Sequence, residues 1–250
     1  MNEEKFTGKA DIYMKFRPSY PESFINYLYT DVGFQESSTI ADIGAGTGKL
    51  SKLLAERGSR VICVEPNKEM LTKARQNLEG FTNCLFINTS AEGINLGGSS
   101  IDFITVAQAF HWFDRLKFKA ECKRLLKVGG KVVIVYNSSD LPEGMGQEYK
   151  NISEKLCQGF NGLSSGPKFG PDAYLDFFKE GGCDFKVFEN KLSYDEESFV
   201  GRNLSRSYSP KEGSPDYTEF VKECRALFNK YSTDGLIEVT AATTCYTGEV

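Results

Sequence analysis

Residues 39–54 combine a short apolar run, a turn with three alternate glycines and an amphipathic run. Thr39-Ile40-Ala41-Asp42-Ile43 leads into Gly44-Ala45-Gly46-Thr47-Gly48, and Lys49-Leu50-Ser51-Lys52-Leu53-Leu54 follows. That order predicts a strand, a tight turn and a helix. The glycines let the backbone bend sharply and approach a ligand with no Cβ between, and the helix that follows begins with free N–H groups. A chain carrying this unit is committed to a βα arrangement whose ligand sits at the turn. A dinucleotide fingerprint spaces its glycines G-x-G-x-x-G, whereas here the spacing is G-x-G-x-G with Asp42 two residues before the first glycine. An acid there suits the cationic end of a ligand better than it suits a pyrophosphate.

Arg60-Val61-Ile62-Cys63-Val64-Glu65 reads as a second strand, ending in an acid 19 residues after Gly46. A carboxylate so placed accepts from both hydroxyls of a ribose. Apolar runs near 39–43, 60–65, 84–88, 101–107 and 131–136 alternate with helical stripes. Leu50, Leu53 and Leu54 form one stripe, Met70, Leu71, Ala74 and Leu78 a second, and Phe118, Cys122, Leu125 and Leu126 a third. Strands alternating with helices demand a parallel sheet with right-handed crossovers and a ligand at the strands' carboxyl ends.

In these residues the chain resembles the class I S-adenosylmethionine-dependent methyltransferases. Their first motif is similar to Asp42–Gly48, and their second strand ends in an acid as at Glu65. The likeness continues through Ser90-Ala91-Glu92 and the segment from Asp102 to Asp114, covering roughly the first half of the chain. It implies an α/β, Rossmann-like fold: a seven-stranded, mostly parallel sheet with helices on both faces, an antiparallel edge strand and helical cap insertions. On that reading residues 1–250 form one methyltransferase domain, with 1–136 the cofactor-binding half and 184–194 and 236–246 a terminal strand pair. The stretches 137–180 and 195–233 become cap or substrate insertions. The first holds Gly166-Pro167-Lys168-Phe169-Gly170-Pro171, and the second a stripe of Phe220, Cys224, Leu227 and Phe228.

The implied cofactor is S-adenosyl-L-methionine, leaving as S-adenosyl-L-homocysteine. Gly44, Ala45 and Gly46, in a motif completed by Gly48, then contact its aminoacyl end, and Asp42 either organises the turn or meets the ammonium. Glu65 holds the ribose, Pro66 shapes the adenine edge, Ala91 and Glu92 border the adenine, and Gln108 faces the methionine part. Tyr13-x₃-Arg17-Pro18-x-Tyr20-Pro21 resembles the opening of a small-molecule branch that includes trans-aconitate methyltransferase-like enzymes. There Arg17 pairs with the methionine carboxylate through its fork of donors, and Tyr13 or Tyr20 covers the sulfonium. The alternative is a packed N-terminal arm in which both tyrosines are core.

Phe110-His111-Trp112-Phe113-Asp114 holds the only histidine and the only tryptophan. His111 is the candidate catalytic residue, taking or sharing an acceptor proton, with Trp112 walling the substrate pocket. Alternatively His111 positions the loop, the aromatics pack on the next helix and Asp114 caps it. Arg202 and Tyr208, with Arg206 and Lys211 nearby, are candidates to receive an anionic group of the acceptor.

Composition narrows the classes further. A net charge of −4 and a pI near 5.3 disfavour a polynucleotide partner, and one histidine with scattered cysteines disfavours a metal site. Seven cysteines without a C-x-x-C pair read as reduced thiols, and no stretch resembles a signal peptide or membrane span. A cytoplasmic monomer or weak homodimer follows as the expectation. No G-x-S-x-G elbow or phosphate-loop lysine is present, nor an Asn-Pro-Pro-Tyr or Asp-Pro-Pro-Tyr run after the fourth strand. The reaction expected is direct methyl transfer to an oxygen, carboxylate or carbon of a small molecule. Two rivals are a non-catalytic S-adenosylmethionine-binding regulator and an NAD(P)-dependent oxidoreductase.

Overall fold

The computed structural model describes residues 5–160, 162, 174–180 and 182–250. Helix α1 (Ala10–Phe16) and helix α2 (Glu22–Tyr27) precede the sheet, and α2 runs on into a π turn that Gly33 ends at φ 103°. The βα series follows as β1 (Thr39–Ile43), α3 (Lys49–Glu56), β2 (Arg60–Val64), α4 (Lys68–Asn77) and β3 (Cys84–Ile87). It continues through β4 (Ile101–Ala107), α5 (Arg115–Leu125) and β5 (Leu126–Asp140). The remaining elements are α6 (Met145–Leu156), β6 (Asp184–Glu189), β7 (Leu192–Tyr194), α7 (Glu196–Leu204), α8 (Tyr217–Tyr231) and β8 (Ile237–Gly248).

The main sheet runs β3-β2-β1-β4-β5-β8-β6. Its first five strands are mutually parallel, with Ile40 level with Val61 on one side and with Phe103 on the other. β8 runs against β5 and β6, so the sheet is mixed only at that end. β1 and β2 read as near-continuous apolar runs because helices cover both faces of the sheet. One face packs a core around Ile43, Val64, Ile104, Phe110, Phe118 and Tyr246, the other a core around Phe24, Leu28, Phe34, Leu54 and Val133. This is the expected α/β architecture, and the stripes expected on α3, α4 and α5 are buried except Leu53, which is only partly covered.

Local chemistry sets several boundaries. The Met70 N–H donates to Asn67 Oδ1 at 3.1 Å and starts α4, while the Lys117 N–H donates to Asp114 Oδ1 at 3.2 Å and starts α5. β5 outruns the apolar stretch 131–136 because β8 pairs with it from Val132–Gly248 to Asp140–Thr240, supplying backbone partners to polar Asn137, Ser138 and Ser139. The run 184–194 is not one strand: it breaks at Asn190-Lys191, and the two pieces pair with different halves of β8. Helices α6, α7 and α8 share a third core that includes Tyr149, Phe199, Phe220 and Cys224. α1 lies on α7 where Gly201 leaves room for the Phe16 ring. The Gly166–Pro171 segment lies outside the described residues.

Candidate functional site

The carboxyl ends of the parallel strands open onto a cavity of about 340 Å³. The turn after β1 shapes its floor. The N–H groups of Gly44 and Ala45 both donate to the Val64 carbonyl, at 2.8 and 3.0 Å. Gly44 sits at φ 72°, and a Cβ there would come within 2.5 Å of Ala109 Cβ, so glycine is required twice over. Gly48 caps α3 at φ 77°, where a Cβ would press on Leu78 and Ala74 of the neighbouring helix region; it does not line the cavity. The third motif glycine serves helix packing.

Glu65 is 8 % exposed and faces the cavity from the end of β2. Its Oε2 accepts from the Gly46 N–H and its Oε1 from the Asn67 N–H, each at 2.9 Å, which fixes the carboxylate in one orientation. An ionised carboxylate accepts hydrogen bonds and donates none, which suits a ligand that brings hydroxyl donors. Asp42 lies beneath the turn, fully buried and outside the cavity wall. Ser51 Oγ donates to it at 2.5 Å and Thr105 Oγ1 at 2.8 Å. Burial raises its pKa while those two hydroxyls lower it, and burial prevails. Of the two roles open to Asp42 in the sequence, organising the turn matches this geometry.

Pro66, Ala91, Glu92 and Trp112 complete the outer wall with Phe6, Met70, Ser90 and Phe113. Glu92 Oε1 accepts from the Asp114 N–H at 3.0 Å, tying the loop after β3 to the start of α5. Gln108 stands after β4 at φ 58°, unusual for a residue with a side chain, and is held by N–H donation to the Val135 carbonyl at 2.9 Å.

Tyr13 and Gln108 line this cavity and also a second, inner chamber of about 60 Å³. Arg17, Tyr20, Ala45, Lys49, Ser139 and Arg202 contribute to its walls. Arg17 lies 5.1 Å from the Tyr13 ring centre and donates through Nη2 to the Ser205 carbonyl at 3.3 Å. Arg202 donates through Nη2 to Ser139 Oγ at 2.7 Å and lies 5.3 Å from the Tyr194 ring centre. The buried Nε of each arginine, and the Thr47 hydroxyl, have no hydrogen-bond partner. Burial, then Arg206, push the Arg202 pKa down to about 10, and burial lowers that of Lys49. Among the described residues no carboxylate forms an ion pair with Arg17, Lys49 or Arg202.

His111 lines neither cavity. Its N–H donates to Tyr136 Oη at 3.2 Å and its Nδ1 lies 3.3 Å from the same oxygen. Desolvation, then the Lys5 ammonium, push its pKa down to about 4, although the residue is solvent-exposed; it is neutral at pH 7. The positioning role fits this placement better than proton transfer within the cavity. Tyr208 also stands outside both chambers, its ring 5.9 Å from the Arg206 guanidinium, and Lys211 is exposed. Sequence reasoning missed Lys49, read only as the first residue of a helix, and Ser139, which lies in the polar extension of β5 that β8 creates. It also passed over Phe6, Met70 and Phe113, whose apolar character gives no local sign of a cavity wall.

A methyltransferase-domain family model matches residues 41–134, the segment that carries β1 to β5 and the glycine turn. An uncharacterized methyltransferase of Geobacillus kaustophilus is 32% identical over 170 residues, covering 62% of this chain and 77% of that protein. An uncharacterized methyltransferase of Mycobacterium bovis is 37% identical over 147 residues, covering 59% of this chain and 58% of that protein. The chain thus spans less than two thirds of the mycobacterial relative's length. In fold it is similar to a solved structure from Anaeromyxobacter dehalogenans, with a TM-score of 0.60 at 22% identity, covering 94% of this chain and 98% of that one. The YcgJ protein of Bacillus subtilis gives a TM-score of 0.55 at 16% identity, covering 92% and 100%. The strand order, the glycine turn with its paired acids and the family match lead to one conclusion: the chain belongs to the class I S-adenosylmethionine-dependent methyltransferases.

Proposed function

We propose that the protein transfers a methyl group from S-adenosyl-L-methionine directly to an oxygen, carboxylate or carbon of a small-molecule acceptor. The observation that carries this reading is the pair of adjoining chambers at the strand ends, one walled by carboxylates and the other by cations. The chain's residues fit the cofactor. Gly44 and Gly46 leave an open floor beside Glu65, whose fixed carboxylate suits a ribose diol, and Pro66, Ala91 and Glu92 flank the space an adenine ring would take. Arg17 offers an amino-acid carboxylate a guanidinium whose buried Nε has no partner, and the Tyr13 face suits a cation at the passage between the chambers.

When bound, this cofactor supplies a methyl group that is already electrophilic. The protein's own work is then alignment and exclusion of water. Tyr13, Phe6 and Trp112 cover the outer chamber, with the Phe6 and Trp112 rings edge-to-face at 6.5 Å. Neither chamber has a histidine in its wall, and both oxygens of Glu65 are engaged by backbone N–H groups. That favours an acceptor atom that arrives with a free electron pair, above all an ionised carboxylate oxygen, over one that must first lose a proton.

Calorimetric titration with S-adenosyl-L-methionine, S-adenosyl-L-homocysteine and NAD tests the cofactor half. Micromolar binding of the first two, about −8 kcal/mol, is the expected result. Binding of NAD alone would overturn it. Transfer of labelled methyl to small carboxylic acids tests the other half, and binding without transfer to any small acceptor would favour a regulatory S-adenosylmethionine-binding protein.

A further inference from the structure

The inner chamber holds more positive charge than its surroundings or the cofactor can balance. Arg17, Lys49 and Arg202 all line it, and among the described residues no carboxylate does. The titratable groups that bear on Arg202 are the guanidinium groups of Arg206 and Arg17 and the phenols of Tyr194 and Tyr149, which burial keeps neutral, with no carboxylate among them. Buried charges are ordinarily paired, because an uncompensated ion in a low-dielectric site is costly. The amino-acid end of the cofactor is a zwitterion and adds no net charge, so its single carboxylate satisfies one guanidinium while its ammonium brings another cation. Among the described residues and the cofactor, at least one anion is still missing.

Arg202 is the residue best placed to meet it. It is 8 % exposed, and its Nε is buried without a partner. Its position is fixed on three sides. α7 carries it, with Phe199 and Leu204 of the same helix set in the cap core, Ser139 holds Nη2, and the Tyr194 ring packs against the guanidinium. A planar fork held in this way matches the two oxygens of a carboxylate.

We propose that Arg202 anchors a carboxylate of the methyl acceptor, beside an Arg17 that serves the cofactor's carboxylate. The acceptor is accordingly a small organic acid, and Arg202 sets its specificity. This rests on the methyltransferase reading above and adds the charge of the acceptor and the residue that recognises it.

The test is calorimetric titration of the full chain, with and without saturating S-adenosyl-L-homocysteine, using the dicarboxylates from succinate to adipate and their diamides. At least one dicarboxylate is expected to bind the saturated protein, with its diamide at least 100-fold weaker. Arg202→Met is expected to weaken that dicarboxylate at least 30-fold while changing S-adenosyl-L-homocysteine affinity less than twofold, and Arg202→Lys to recover part of the loss. Should Arg202→Met fail to fold, Ser139→Ala, which frees the guanidinium to rotate, is expected to weaken the dicarboxylate at least threefold. Three results overturn the proposal. One is that no dicarboxylate binds; another is that a diamide binds as tightly. The third is that Arg202→Met weakens S-adenosyl-L-homocysteine tenfold while 5′-methylthioadenosine, which lacks the carboxylate, binds as before, because Arg202 would then belong to the cofactor. Failure of the cofactor reading itself shows separately, as no affinity of the unsubstituted chain for S-adenosyl-L-homocysteine.

Discussion

The two chambers share Tyr13, Gly44, Gly46, Ala107 and Gln108, yet their chemistry is opposite. The outer chamber has Glu65 and Glu92 in its wall and no cation, and both acids accept from backbone N–H groups. Among the described residues the inner chamber has three cations, no acid, and buried donors left without partners. The difference follows from where the walls come from. Turns after parallel strands present backbone N–H groups in fixed positions, and these hold carboxylates rigidly. The inner walls come from side chains on α1, α3 and α7, elements far apart in sequence that meet only through packing. A preformed outer chamber beside an unbalanced inner one describes a site half complete before its ligands arrive.

Breaking the outer chamber should have the largest effect. Glu65→Ala removes the acceptor for the Gly46 and Asn67 N–H groups as well as the proposed ribose partner. Charge-assisted bonds of this kind contribute about 1.5–3 kcal/mol each. We expect S-adenosyl-L-homocysteine affinity to fall about 100-fold in calorimetry; unchanged affinity would remove Glu65 from the site. Gly44→Ala attacks the shared floor, where the new Cβ meets Ala109 at a positive φ. About 1–3 kcal/mol of strain is expected, read as a lower unfolding temperature together with weaker cofactor binding. A fully stable Gly44→Ala protein would mean that the loop after β4 gives way freely.

The packing of α1 against the segment after α7 can be probed through Lys9. Its Nζ is buried and donates to the carbonyls of Arg206 at 2.6 Å and Ser209 at 2.5 Å, tying the start of α1 to the segment after α7. Burial, then Lys211, push its pKa down from 10.5 to about 8. The folded state therefore binds fewer protons than the unfolded one between those values, so this group's contribution to stability rises as pH climbs from about 8 to 10.5. It is lost as pH falls through about 8. Urea unfolding at stepped pH should show that slope, and Lys9→Met should flatten it; an identical slope in the variant would assign the effect elsewhere. His111→Ala should matter least, because the residue lines neither chamber. Cofactor affinity within twofold and transfer reduced less than tenfold are expected, and a larger fall in transfer would return His111 to the chemistry.

Much of the outer chamber was legible in the sequence because its determinants are local. Gly44, Gly46, Glu65, Pro66, Ala91 and Glu92 all follow strands that announce themselves by apolar runs, and they line the cavity. The same local patterns left two roles open at Asp42 and at His111, and the geometry matches the turn-organising role of Asp42 and the loop-positioning role of His111, while Gly48 packs α3 on Leu78 and Ala74. Arg202 was visible only as one of several cations between residues 202 and 211. Burial and packing, which no spacing encodes, separate it from exposed Lys211.

By itself, the sequence determined the alternation of strands and helices, the glycine turn and the acid at the end of β2, since short-range sterics and apolar periodicity dictate them. Only the tertiary structure decided that β8 extends β5 past Tyr136, that Tyr13 borders both chambers, and that Arg17, Lys49 and Arg202 share one chamber with no counter-charge among the described residues. Those features depend on contacts between residues more than a hundred positions apart, such as Arg17 with Ser205 and Ser138 with Ala242. Such contacts form only when the whole sheet and its cap close together, because desolvation and packing act on the folded surface rather than on any one segment.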